Sequence, residues 1–307
     1  MPDPGPESPE SYPIFHQPWW LDAVAPGAWD EVAVRRDGVV AGRLPFVVRR
    51  RAGLTSLVQP PLTQALGPWI AEAATVNGRA NDFEKRILDE LLDALPPFDV
   101  FDQNLTTALG TWLPFYWRGF DVRPRVTYRL EGLRDPDAIW GAFDPDVRSQ
   151  VRSAEARLVV RDDGPLDALL ELNRETLERK TVTGGYTAAD VRRIDDACAA
   201  RGARLLLLAE DPEGRPHAGI YVVRDELRAY YLMGGRAARH ERGATSLLLW
   251  HAIRRMAAET DCFDFEGSMV ESLERYFRAF GARQVTYLHV RKESGRAMLA
   301  RRLLRRG

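Results

Sequence analysis

Leu113-Pro-Phe-Tyr-Trp-Arg-Gly-Phe-Asp-Val-Arg-Pro-Arg-Val-Thr-Tyr128 returns, one residue shorter, as Leu273-Glu-Arg-Tyr-Phe-Arg-Ala-Phe-Gly-Ala-Arg-Gln-Val-Thr-Tyr287. In each copy large apolar residues fall at i, i+3, i+4 and i+7 (Leu113, Tyr116, Trp117, Phe120; Leu273, Tyr276, Phe277, Phe280). That spacing predicts the inward stripe of a short helix, and a strand ending in Val-Thr-Tyr follows it. A repeat set about half of a 307-residue chain apart predicts two related domains.

The flanks extend the repeat. Val32–Val48 and Leu206–Val223 both read as hairpins, with apolar runs around a Gly-containing turn. A third strand follows each, Thr55–Val58 and Arg228–Met233. Amphipathic helices come next, Asn81–Leu95 and Thr245–Glu259, then the short strands Phe98–Asn104 and Cys262–Ser268. The pattern predicts an α/β (α+β) fold of two tandem domains, each a mixed sheet flanked by helices, with a cleft between them. The expected divisions are a disordered lead-in (1–13), a first domain (14–134), a connecting helix interrupted near Pro145 (135–157), a second domain (158–292) and a basic tail (293–307). Two further helices, Leu166–Lys180 and Thr187–Ala200, open the second domain.

With 45% hydrophobic and 28% charged residues, the composition is that of a globular protein. No apolar run approaches the ~18 residues of a membrane span, and the Pro-rich, acidic start does not read as a signal peptide, so a cytoplasmic location is expected. Cys198 and Cys262 lack metal-type spacing and read as buried free thiols; no metal is expected. From Arg291 to Gly307 there are seven basic residues and one acid, a net +6, which leaves −7 for the rest of a chain whose total is −1. Such a tail suits either a solvated helix end or contact with nucleic acid. Trp19, Trp20, Trp112 and Trp117 are expected in the core. The five histidines form no local cluster.

The order of elements resembles the GNAT acyltransferase fold, and the doubling resembles the Fem-like tandem-GNAT transferases. The resemblance is carried by Ile14-Phe-His-Gln-Pro-Trp-Trp-Leu21, Gln59-Pro-Pro-Leu-Thr-Gln-Ala-Leu-Gly-Pro68, Tyr230-Tyr-Leu-Met-Gly-Gly235, Thr245-Ser-Leu-Leu-Leu-Trp250 and Asp264-Phe-Glu-Gly-Ser-Met269. It implies transfer of an acyl group to an amine, with aminoacyl-tRNA as donor and an amine of a natural product or cell-wall precursor as acceptor. An acyl-CoA donor is the alternative, and a catalytically silent ligand-binding protein is another. No bound cofactor is expected. CoA-using GNAT domains carry a glycine-rich loop whose backbone N–H groups hold pyrophosphate ahead of the central helix. Here Gly234-Gly-Arg-Ala-Ala-Arg-His-Glu-Arg-Gly-Ala-Thr245 has glycine and arginine without the required spacing, which favours tRNA as the partner.

Amide formation needs a polarised carbonyl and an acceptor for the amine proton. By the resemblance, the strands Arg228–Met233 and Cys262–Ser268 splay apart around the donor. Met233, Gly234 and Gly235 would then supply oxyanion N–H groups, with Arg236, Gly243 and Thr245 bordering the donor. Glu266 is the candidate proton acceptor, Asp264 shares its strand face and role, and repulsion between the two carboxylates would raise one pKa. Tyr231 is placed in the cleft in preference to Tyr230. Substrate contacts are expected from Lys180 at a helix end, from Arg148 and Arg152 on one helical face, and from Ser268. In the first half Gln64 and Asp102-Gln103-Asn104 are expected to hold the acceptor, with Asp102–Asn104 standing where Glu266–Ser268 stand in the second.

Overall fold

Alternating apolar residues and a two-residue Asp37-Gly38 turn, both in the left-handed region, fold the start of the chain into a hairpin. The computed structural model describes residues 12–71, 80–162, 164–180, 185–267 and 269–304. After the helix α1 (Pro18–Val24), strands β1 (Trp29–Arg36), β2 (Val39–Arg51) and β3 (Leu54–Val58) pair antiparallel in succession, and β4 (Trp69–Ile70) adds to β2. Helix α2 (Ala80–Asp93) crosses to β5 (Val100–Asn104), which runs parallel to β3. The short helix α3 (Leu113–Trp117) comes after it.

The second half repeats this plan. Strand β6 (Asp121–Glu131) leads into α4 (Pro136–Ala142) and α5 (Pro145–Glu155), two helices separated ahead of Pro145, as expected of a residue that cannot continue a helix. Then come β7 (Val159–Asp162), α6 (Leu166–Lys180) and α7 (Ala188–Ala199), the last opened by a Thr187–Asp190 capping box. Strands β8 (Arg204–Glu210), β9 (Pro216–Arg224) and β10 (Ala229–Arg236) form the antiparallel series, and α8 (Ala244–Met256) crosses to β11 (Cys262–Asp264), parallel to β10. Helix α9 (Glu271–Arg278), β12 (Arg283–Glu293) and α10 (Gly295–Leu304) complete the chain.

The chain divides into two units, Met1–Arg125 with Thr286–Gly307, and Val126–Val285. This division differs from the 14–134 and 158–292 segments read along the sequence, because the two Val-Thr-Tyr strands are exchanged. The final strand of the second copy, β12, pairs antiparallel with β5 of the first unit, from His289↔Asn104 to Glu293↔Val100. Correspondingly β6, the final strand of the first copy, pairs with β11 in the second unit, from Cys262↔Glu131 to Asp264↔Arg129.

Each unit has its own core. Leu44, Phe46, Leu57, Leu88, Phe101, Phe115 and Val290 belong to the first; Phe143, Leu207, Ile220, Leu248, Phe265 and Phe280 belong to the second. Cys198 is buried and Cys262 half-buried, both free; burial pushes the thiols up to about 12 and about 11. The stripe of the opening repeat holds in the second copy, where Phe277 and Phe280 are buried. In the first copy it is corrected. Phe115 and Phe120 face inward and make aromatic contacts with Phe101, while Trp112, Leu113, Tyr116 and Trp117 are exposed, so Trp112 and Trp117 are not core residues. Trp20 is buried as expected.

Helix α6 packs on β10 at Gly235, where a Cβ would lie 2.3 Å from backbone atoms of Leu172 and Asn173. Since a helix backbone cannot yield as a side-chain tip can, Gly235→Ala is expected to lower stability by about 1–3 kcal/mol. Urea denaturation checks this; an unchanged midpoint would mean that α6 moves off β10 freely.

Candidate active site

Strand β10 is paired with β9 along its whole length but with β11 only at Ala229↔Phe263 and Tyr230↔Asp264. Beyond that rung the two parallel strands separate. An irregularity in the β10–β9 register between Tyr231 and Met233 accompanies the separation. Polar groups on the vacated side identify its residues: Arg236 N–H donates to Thr176 Oγ1 (2.9 Å), and Gly234 C=O accepts from Asn173 Nδ2 (2.9 Å). Ala237 N–H points the other way, to His217 C=O. Alternation along a strand therefore directs the Gly234 N–H into the gap and those of Met233 and Gly235 toward β9. Of the three expected oxyanion donors, Gly234 has the required direction.

Asp264 ends the shared rung and is completely buried. Its carboxylate accepts from Arg129 Nε at 2.7 Å, from the Thr127 hydroxyl, and from the Glu266 backbone N–H at 2.8 Å. Both oxygens are taken, so Asp264 serves as a strut for β6, β11 and the adjoining turn, and not as a second base. Glu266 differs. Its φ is +57°, a left-handed conformation that costs a non-glycine residue about 1 kcal/mol. Gly267, φ +61°, continues the turn where a Cβ would lie 2.2 Å from the Val126 carbonyl. The Glu266 Oε1 atom is buried with no hydrogen-bond partner. Burial first, and the neighbouring Asp264 charge second, push the Glu266 carboxyl well above the usual carboxylate range.

Tyr231 is half-buried against the second core while Tyr230 is fully buried, and a Cβ on Gly234 would lie 2.2 Å from the Tyr231 hydroxyl. Burial, together with the Tyr276 and Tyr186 phenols near it, pushes the Tyr231 phenol upward. Tyr276 contacts Ser246 Oγ (3.0 Å) in the first turn of α8, and burial pushes its phenol up to about 12. Tyr186 donates to Asn173 Oδ1 (3.0 Å), the same amide that holds Gly234. Sequence reasoning passed over Asn173, Tyr186, Ser246 and Tyr276. Asn173 left one signal, a polar residue beside Leu169 and Leu172 on the buried face of α6.

The loop ahead of α8 is tied at two of its N–H groups to α6 and β9. Ala238 N–H donates to Glu175 Oε2 (3.0 Å) and Glu241 N–H to His217 Nδ1 (2.7 Å). Gly243 caps α8 at φ +86°, pressed against the Gln150 carbonyl, and Thr245 is half-buried in the first turn. Arg236 is exposed and contacts His240.

The expected substrate contacts are dispersed. Arg148 donates to the Gly141 (3.0 Å) and Phe143 carbonyls at the end of α4 and is spent on local structure, while Arg152 is exposed and lies over Trp140 at 5.7 Å. Lys180 is exposed at the end of α6, and Ser268 lies outside the described residues. In the first unit Asp102 is ion-paired with Arg291 and hydrogen-bonded, at 2.8 Å, to His289 Nε2, while Gln103 is buried and donates to the Pro45 carbonyl.

Registers correct the alignment of the two units by two residues. The parallel ladder ends at Val58↔Asp102 in one and at Tyr230↔Asp264 in the other, so Asp102 corresponds to Asp264 and Asn104 to Glu266. The gap also differs. Gln59 N–H reaches the Asp102 carbonyl, Asn104 N–H donates to Gln59 Oε1, and Asn104 Nδ2 donates to the Gln64 carbonyl, so 59–66 folds back along β5 where the second unit is open.

A chain of this topology matches known proteins accordingly. Residues 143–284 match the Acetyltransf_6 family, an acetyltransferase (GNAT) domain, and this part of the chain is a GNAT domain. No protein of curated function matches at the level of sequence. Among solved structures, FemX superposes with a TM-score of 0.65 at 15% identity, over 91% of this chain and 93% of that one. A tandem GNAT protein from the clavulanic acid biosynthesis pathway gives 0.54 at 14% identity, over 94% and 92%. L-PGS from Bacillus licheniformis gives 0.53 at 11%, over 94% and 91%. The fold is a Fem-like tandem GNAT. Among the described residues no helix is long and apolar enough to cross a membrane, and no group of three His, Cys, Asp or Glu could hold a metal ion.

Two stability measurements separate the carboxylates. Asp264→Ala strands a buried guanidinium and is expected to cost about 3–5 kcal/mol, read by denaturant unfolding; a loss below about 1 kcal/mol would remove the strut role. For Glu266, a folded-state pKa above the unfolded value of about 4.3 means that stability is greatest below that pH and falls as pH rises through the folded pKa. Relative to Glu266→Gln, the parent protein should therefore lose up to about 1.4 kcal/mol per pH unit between about 4.3 and the folded pKa, and no more above it. Parallel stability curves would rule out a raised folded-state pKa at Glu266.

Proposed function

We propose that the protein is an N-acyltransferase that moves an aminoacyl group from aminoacyl-tRNA to an amine of a small-molecule acceptor, a natural-product or cell-wall precursor. The observation that carries this reading is the gap between β10 and β11, with Gly234 N–H on one strand and the unpartnered Glu266 Oε1 beyond the end of the other. In this reading the amine nitrogen attacks the ester carbonyl carbon, and charge developing on the carbonyl oxygen is met by Gly234 N–H. The amine proton passes to Glu266, directly or through water. The carbon–oxygen bond to the tRNA ribose then breaks, and the leaving oxygen takes up a proton.

The loop before α8 supports tRNA over CoA. Its Ala238 and Glu241 N–H groups are held by the Glu175 carboxylate and the His217 imidazole and so are not free to cradle a diphosphate. The tail supplies fewer contacts than its charge suggests. Arg291 and Arg301 pair with Glu293, Arg296 lies near Asp99, and Lys292 donates to the Arg118 carbonyl. Removing residues from Arg291 onward would also cut β12, so charge reversal at Arg302 is the sounder probe of the tail. Arg239 and Arg242, exposed within the same loop, would attract the phosphates of either donor, so the preference for tRNA rests on the occupied N–H groups.

Incubation with a charged total-tRNA pool should give RNase-sensitive transfer to an amine acceptor. Because Glu266 must ionise to accept a proton, the rate should rise with pH through a pKa above the usual carboxylate range. Glu266→Gln should lose that limb and about 10²–10⁴-fold in kcat. Product from purified acyl-CoA without tRNA would transfer the assignment to a CoA donor, and full activity in Glu266→Gln would remove the base.

A further inference from the structure

Helix α6 lies along the open edge of β10 and takes up backbone groups that β11 leaves behind. Asn173 and Thr176, three apart and so on one helical face, reach that edge at its gap-facing residues. Asn173 Nδ2 donates to the Gly234 carbonyl at 2.9 Å, and Thr176 Oγ1 accepts from the Arg236 N–H at 2.9 Å. Gly235 permits the approach, since it meets the α6 backbone at Leu172 and Asn173 with no Cβ between them. The Gly234 N–H, just ahead of these contacts on the strand, is the group they leave for a substrate.

Two glycines in succession, Gly234 and Gly235, make this a pliable stretch of strand, because a residue without Cβ has wide φ and ψ freedom. An N–H that meets charge developing on an oxygen contributes most when its direction is fixed beforehand. On one side the ladder to β9 holds Met233 and Gly235; on the gap side Asn173 holds the Gly234 carbonyl. The Asn173 amide has a single allowed sense. A carbonyl only accepts, so the end facing Gly234 is the NH2 group, and Oδ1 is turned to Tyr186, whose hydroxyl donates to it at 3.0 Å. Asn173 is 7% exposed and shares its buried face with Leu169 and Leu172, a setting in which an amide is stable only with its ends bonded.

We infer that Asn173 is a positioning residue for acyl transfer: through the chain from the Tyr186 hydroxyl to Asn173 to Gly234 it fixes the direction of the Gly234 N–H, and it touches no reacting atom itself. The inference rests on the reading of that N–H as the donor to the carbonyl oxygen. It also ties the donor to the residue just ahead of the α7 capping box, because Tyr186 precedes Thr187.

Selective nitrogen-15 labelling of the glycines in the full chain gives a measurement that needs no substrate. The Gly234 amide is expected to have an order parameter of about 0.85 in the parent and below about 0.6 in Asn173→Ala, with Gly42 in β2 of the first unit unchanged. With charged tRNA as donor, Asn173→Ala should lower kcat about 10²-fold and leave KM nearly as it was, because a misdirected oxyanion donor is missed in the transition state and not in the ground state. Tyr186→Phe, which removes one hydroxyl and leaves the amide free to turn, should lower kcat in the same way but by less, and the double variant should be no worse than Asn173→Ala alone. Should Asn173→Ala lose its near-ultraviolet circular dichroism, Tyr186→Phe carries both measurements. An unchanged Gly234 order parameter in a folded variant, or a raised KM at constant kcat, would overturn the inference. A parent inactive with charged tRNA and with acyl-CoA would overturn the transfer reading instead, and the order parameter would still decide whether Asn173 holds Gly234.

Discussion

The second unit depends on one buried node, the Asp264 carboxylate gripped by Arg129, Thr127 and the Glu266 backbone. The node sits on the last rung that β10 and β11 share. A buried ion pair of this kind adds little net stability over a well-packed apolar pair, but it is costly to break. Its effect here is positional. By fixing β6 against β11 it ends the ladder at a defined residue, and the left-handed turn at Glu266 and Gly267 carries the chain away from β10 at once. The strand gap is therefore built into the fold.

The first unit keeps the same clamp but not the opening beyond it. Asp102 and Arg291 occupy the positions of Asp264 and Arg129, facing each other across β5 and β12. Past this pair, Gln59 and Gln64 bind the backbone and amide of Asn104, and the space corresponding to the gap is taken by protein. Asn104, which stands where Glu266 stands, has an amide that cannot serve as a base at neutral pH. An ancestral site present twice thus survives in one unit as an open gap with an acid and in the other as a closed, neutral joint.

Much of this was legible in the residues. The doubled helix–strand phrase, the hairpins and the crossover helices all arise from local periodicity, and Glu266 stood out as a carboxylate at a strand end. The long-range pairing was not legible. Which strand receives each Val-Thr-Tyr segment is decided by pairing across well over a hundred residues, and the exchange of β6 and β12 leaves no local trace. The two-residue offset between Asp102 and Glu266 is of the same kind, since strand ends of similar polarity can be aligned either way until a neighbouring ladder fixes the register. Helix α3 failed for a different reason. Five residues give too little periodicity to choose a face, and Phe115, off the stripe, finds Phe101 and Phe120.

Of the carboxylates on these related strands, Asp102 and Asp264 each face an arginine, and Glu266 faces none. That difference bears directly on the chemistry. A carboxylate stabilised by a guanidinium holds its charge and is a poor acceptor for a proton, whereas one stripped of water and of cations gains from taking a proton up. Asp264, held in place by its clamp, adds a repelling charge beside Glu266. The interaction that separates the strands is thus also the one that leaves a basic carboxylate beside the space they enclose, so disrupting Arg129 should impair the site's geometry and its proton affinity together.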